Sequence, residues 1–196
     1  MPRYQFCQTQ KHSCGAAALM VAIAELRSLG QAWLTQKTET KIYKRIWQAK
    51  GDDSNIAKIA QYTRRKFECE AKVHENLFVT AALRKDQAFQ LEHSLFDLDM
   101  KAVGEASETT RGMVADMFDK DARALLVFAY KNSRAGYNLH FLLARKEDEQ
   151  VWLMNPDGGL DHRAPKFSEW ISRPWHKYTG MNKVEYIFTG IYVVPR

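Results

Sequence analysis

The chain has 196 residues, 45% of them hydrophobic and 12% aromatic, enough to bury a core as one domain and too apolar for a disordered segment. Its net charge of +6 comes from 29 Lys and Arg interspersed with 23 Asp and Glu, with no basic block, so nucleic acid is not expected as a partner. No run approaches the roughly 18 apolar residues of a membrane span. Met1 to Gln5 also lacks the apolar stretch of a signal peptide, so no membrane partner is expected.

Cys7, Cys14 and Cys69 are an odd set without repeated spacing. They read as reduced thiols of a cytoplasmic protein, or of one secreted without a cleaved signal into the cytosol of a host or target cell. A zinc site at Cys7, His12 and Cys14 lacks four well-spaced ligands, so neither metal nor cofactor is expected.

From Ser13 to about Leu29 small and apolar residues occur nearly all round the helical wheel, which predicts a buried helix stopped by Gly30. Ile42, Tyr43, Ile46 and Trp47 form the inward stripe of a second helix over Glu39 to Ala49. The turn Asp52 to Asn55 caps a third, with Ile56, Ile59, Ala60, Tyr62 and Phe67 inward and a solvated basic face of Lys58, Arg64, Arg65 and Lys66. Between Glu68 and Met100 the pattern is weak. Leu77 to Leu91 reads as helix, Phe96 to Met100 alternates like a short strand, and Met113, Val114, Met117 and Phe118 place a further helix within Ser107 to Asp121.

Strand periodicity then takes over: Ala124 to Tyr130, Leu139 to Lys146, Gln150 to Met154 and Tyr186 to Val194, with Lys146 to Glu149 as a hairpin turn. The class is therefore α+β in a single domain 1–196, a mainly helical half over 1–122 followed by an antiparallel sheet half over 123–196.

Three blocks carry candidate chemistry. If Ser13 caps the first helix, Cys14 lies in its first turn, where unsatisfied N–H groups and the positive end of the helix dipole favour a thiolate. His140 heads an apolar strand, and Asn155-Pro156 closes the next one. The midpoint of 140 and 155 falls inside the hairpin turn, so antiparallel pairing brings the two side chains together. His140 Nδ1–H would then donate to Asn155 and leave Nε2 facing Cys14. Asp157 is the alternative orienter if the strand continues, which Pro156 opposes.

Gln8, six residues before Cys14, and Gly15 after it resemble the nucleophile region of papain-like cysteine peptidases. The segment from His140 to Gly159 is similar to the histidine strand and Asp-Pro strand end of the bacteriocin-leader-processing (double-glycine) branch. That resemblance implies a papain-like fold, with the buried nucleophile helix packed on the sheet. It implies Cys14 as nucleophile, His140 as general base, Asn155 as its orienter and Gln8 as an oxyanion donor beside the Cys14 N–H, with Gln10 the competing glutamine. His140 lies 126 residues after Cys14, near the spacing of about 130–150 known for such enzymes. Asparagine stands where the double-glycine branch has aspartate, and the Asn-Ser-Trp-Gly sequence of papain is absent. Trp170, Trp175 and Tyr178 either shield this pair or cover the sheet.

The expected activity is peptide-bond hydrolysis on a protein or peptide substrate, by a monomer of the kind found among bacterial effectors and toxins. A glutamine deamidase or acyltransferase using the same residues is the alternative. A non-enzymatic binding module on the same fold is the rival from another class.

Overall fold

The computed structural model describes residues 3–48, 54–110, 123–131, 137–180 and 183–196. The first helix, α1 (Cys14–Leu26), is buried at every position from Cys14 to Glu25. Its alanines let neighbours close in from all sides, and it packs on the sheet and on two further helices. The second helix, α2 (Gln36–Ile46), starts ahead of the expected Glu39, because the Thr35 hydroxyl accepts from the Thr38 N–H and caps it there. Trp47, expected on its inward stripe, is instead 39% exposed, since the chain turns extended at that residue. Asn55 caps the third helix, α3 (Ile56–Phe67), through the Lys58 N–H.

The middle of the chain departs from the sequence expectation. A strand, β1 (Ala71–Asn76), precedes α4 (Leu77–Leu83) and α5 (Gln87–Val103). The helix expected over Leu77 to Leu91 breaks after Leu83, where Asp86 caps a new one by accepting from the N–H groups of Ala88 and Phe89. Phe96 to Met100, expected as a strand, lies inside α5, which Gly104 ends in a left-handed conformation. Ser107 opens a short strand, β2 (Ser107–Thr110), rather than a helix. Met113, Val114, Met117 and Phe118 lie outside the described residues.

The remaining elements are β3 (Arg123–Lys131), β4 (Tyr137–Glu147), β5 (Gln150–Asn155), β6 (Leu160–Arg163), α6 (Phe167–Ser172), β7 (Lys177–Thr179) and β8 (Glu185–Pro195). They form one sheet in the order β2-β1-β8-β3-β4-β5-β6, with β7 beside the first part of β8. All pairings are antiparallel except β1 with β2. The molecule is thus mixed α+β, with an N-terminal helical part and a C-terminal antiparallel sheet, and two strands from the helical part extend that sheet. The β4–β5 hairpin closes at Glu147↔Gln150 over Asp148 and Glu149, which both take positive φ (46° and 58°). No described helix is long and apolar enough to cross a membrane.

Strand alternation splits the core in two. Leu125, Val127, Phe141 and Leu143 point to α1 and α3, while Leu126, Phe128, Leu142 and Ala144 face a second cluster with α4 and α6. Near the C-terminal end of α1, the buried Glu25 carboxylate meets Arg123 Nε at 2.5 Å and Arg145 Nη1 at 2.7 Å, and accepts from the Tyr4 N–H at 2.8 Å. Arg145 continues to Asp161 at 2.7 Å. Burial pushes the Glu25 carboxyl up while both guanidiniums pull it down.

Replacing Glu25 by Gln would remove the buried negative charge that Arg123 and Arg145 share, leaving Arg145 to Asp161. The expected loss is about 3–5 kcal/mol, read as a shift in the urea midpoint. A loss below about 1 kcal/mol would mean that the network does not hold α1.

Candidate active site

Cys14 is the first residue of α1, so its thiol sits at the positive end of a helix. Ser13 occupies the cap position but makes no side-chain cap bond, contrary to expectation. Its hydroxyl instead lies 2.6 Å from Glu39 Oε1 and 2.8 Å from the Gln10 carbonyl. Glu39, fully buried on α2, also accepts from the Thr9 N–H at 3.0 and 3.1 Å and from the Thr9 hydroxyl. One carboxylate therefore fixes the loop that delivers Cys14 and diverts the hydroxyl that would have capped the helix. Gly15 is required by contact: a Cβ there would lie 2.5 Å from Ser54 Cβ and 3.1 Å from the Phe141 ring.

His140 and Asn155 come together as expected from their symmetric placement about the turn, with Nε2 to Oδ1 at 2.7 Å. The Asp157 N–H, which can only donate, meets the same Oδ1 at 2.9 Å. That contact identifies the atom as the amide oxygen, so the ring nitrogen facing it carries the hydrogen. The expected roles of the two ring nitrogens are therefore reversed: Nε2–H donates to Asn155 and Nδ1 is the basic nitrogen. Burial pushes the His140 pKa down, while the Asn155 bond and the charge of Asp157 pull it up. β5 ends at Asn155, before Pro156, and Asp157 is exposed beyond it.

The imidazole lies against Tyr186, ring centroids 5.6 Å apart, and Tyr130 at 6.4 Å. This is the sheet face of Leu142 and Ala144, whereas Cys14 packs with Phe141 and Leu143 on the other. Between the faces, the β4–β5 ladder has its last rung at Leu143↔Met154. Beyond that rung the N-terminal segment comes in, with the Gln8 N–H donating to the Pro156 carbonyl at 2.9 Å. Gln8, Asn155 and His140 thus gather at one corner, and Gly15 touches the residue next to His140.

Gln8 Oε1 is buried and has no hydrogen-bond partner among the described residues. Gln10, its rival, has its side-chain NH₂ on Thr40 Oγ1 at 2.8 Å. Cys14 also lines a cavity of about 380 Å³ walled by α3, α4, α5 and the sheet. Where β8 crosses its floor, a bulge around Gly190 (φ 84°) shifts the register with β3 and turns Thr189 Oγ1 onto the Val127 carbonyl at 2.8 Å.

Cys7 is exposed and Cys69 buried, where burial pushes its thiol up. Among the described residues no group of His, Cys, Asp and Glu could hold a metal ion. Of the three expected aromatic residues, Trp170 packs on Tyr178 at 4.4 Å and Tyr178 on Tyr186 at 6.0 Å, so the stack reaches His140 through a tyrosine. Trp175 lies apart, edge-on to Phe89. Glu39, Ser54, Tyr130 and Tyr186 carried no motif signal. Tyr130 and Tyr186, each within an expected strand, could have been placed on a face in advance. The chain matches no known family profile and no curated protein.

With Cys14 replaced by Ala, the His140 ring should titrate below the usual value near 6.5, because burial disfavours its charged form. The unfolded chain then binds a proton that the folded one does not, so stability falls as pH drops below about 6.5. Imidazole NMR shifts check the first statement, and a ring that titrates at or above the usual value would contradict it.

Proposed function

We propose that the chain is a papain-like thiol hydrolase, acting first as a cysteine peptidase. The observation that carries this reading is the 2.7 Å bond from His140 Nε2 to Asn155 Oδ1. It fixes a buried imidazole in the tautomer whose free nitrogen can take a thiol proton, at the corner where Gln8 and the start of α1 converge. An asparagine orienter adds no charge, so the thiolate leans on the helix end for its stabilisation.

In the proposed reaction His140 Nδ1 takes the Cys14 proton and the thiolate attacks an amide carbonyl. The C–S bond forms and the C–N bond breaks, and the amine leaves with the imidazolium proton. The Cys14 N–H and the Gln8 side chain hold the oxyanion; losing one such donor costs about 10²–10³ in turnover. Water then adds to the thioester, giving a carboxylic acid and the free thiol. The same steps on a side-chain amide make a deamidase, and an amine in place of water makes an acyltransferase.

Thiol and imidazole would meet around the flank of β4 left by β5, rather than across the sheet. The alternation that sets Cys14 and His140 on different faces favours the rival, a papain-like domain that works by binding alone. Incubation with a complex peptide library, read by mass spectrometry, separates the two. New peptide termini are expected from the native protein, none from Cys14→Ala, and on the order of 10² fewer from Asn155→Ala. Cys14→Ala should remain within about 1–2 kcal/mol of native stability. Termini produced equally by Cys14→Ala, or absent throughout together with mass shifts for deamidation and acyl transfer, would overturn the proposal.

A further inference from the structure

The cavity beside Cys14 is apolar over most of its wall, with Phe89, Phe96, Val127 and Phe141 among its lining residues. At about 380 Å³ it falls within the range of roughly 300–1,000 Å³ typical of ligand sites. One polar group in it is unspent. Ser54 is 6% exposed, and its Oγ is buried without a hydrogen-bond partner among the described residues. Native structures rarely leave such a hydroxyl unsatisfied. Ser54 lines the cavity and abuts Gly15, one residue from the nucleophile.

We propose that this cavity takes a large apolar side chain, aromatic or branched aliphatic, on the residue whose carbonyl Cys14 attacks, and that the Ser54 hydroxyl hydrogen-bonds that residue's backbone. The inference rests on the thiol-hydrolase reading and names its substrate class. Because Cys14 is itself part of the wall, the side chain assigned to the cavity is carried by the α-carbon next to the attacked acyl carbon, with no intervening residue. Glycine at that position would leave the cavity empty, so the substrate differs from a double-glycine peptide. Burying an aromatic or leucine-sized group there favours it over glycine by about 10- to 100-fold.

Labelling of the full-length protein with acetyl-phenylalanyl and acetyl-glycyl chloromethyl ketones, read by peptide mass at Cys14, tests this. The thiolate displaces chloride from either reagent, and iodoacetamide, which has no side chain to place, serves as the reference for each variant. Relative to iodoacetamide, the phenylalanyl reagent should react at least about 10-fold faster than the glycyl one. Leu95→Trp, on the partly exposed α5 wall of the cavity, should abolish that preference. Ser54→Ala should slow both ketones about 3- to 10-fold.

Fast iodoacetamide labelling with equal rates for the two ketones would overturn the cavity assignment and leave the thiol-hydrolase reading standing. Cys14 inert to all three reagents would overturn both. A phenylalanyl preference that survives Leu95→Trp would also overturn the assignment, by placing the side chain elsewhere.

Discussion

A helix that is apolar on every side has no face of its own to say how it should sit, and α1 is such a helix. Two buried carboxylates supply what its surface lacks. Glu25 near its C-terminal end is clasped by Arg123 and Arg145 from the sheet. Glu39 on α2 holds Thr9 and Ser13 just ahead of its first residue. Each is costly to bury and worse to leave unpaired, so together they resist any slide of α1 along the sheet. The position of Cys14 follows from these two clamps more than from the packing of alanines.

The second organising feature is the place where β5 parts from β4. A continuous ladder would have sealed His140 between neighbouring strands. Instead Pro156 ends β5, Asn155 turns its amide oxygen to the imidazole, and the backbone of Gln8 docks on the Pro156 carbonyl. The gap lets one short N-terminal segment reach both the His140–Asn155 pair and the start of α1. A bulge at Gly190 shifts β8 against β3 where Val127, Thr189 and Ile191 line the cavity.

Much of this was legible in the sequence because it depends on local periodicity. The apolar runs of α1, β3, β4 and β8 and the stripe of α3 are each written in consecutive residues. The approach of His140 to Asn155 follows from hairpin symmetry alone. What the sequence hides is non-local. β1 and β2 pair in parallel across two intervening helices, and no nearby pattern records that partnership. The strand expected at Phe96 to Met100 is helical because Asp86 and Gly104 cap one long helix around it. The choice of ring nitrogen on His140 depends on a backbone N–H at Asp157. Glu39 and Ser54 look like ordinary polar residues until their burial is seen.

The central claim is that His140 ionises Cys14, and the pH dependence of iodoacetamide labelling at the three cysteines tests it most directly, with His140→Ala alongside. If the two residues form a working pair, Cys14 labels faster than Cys7 and Cys69, keeps labelling below pH 7, and loses that advantage in the mutant. A Cys14 that follows an ordinary thiol profile, unchanged by His140→Ala, would show that β4 keeps thiol and imidazole apart and that the fold serves binding rather than catalysis.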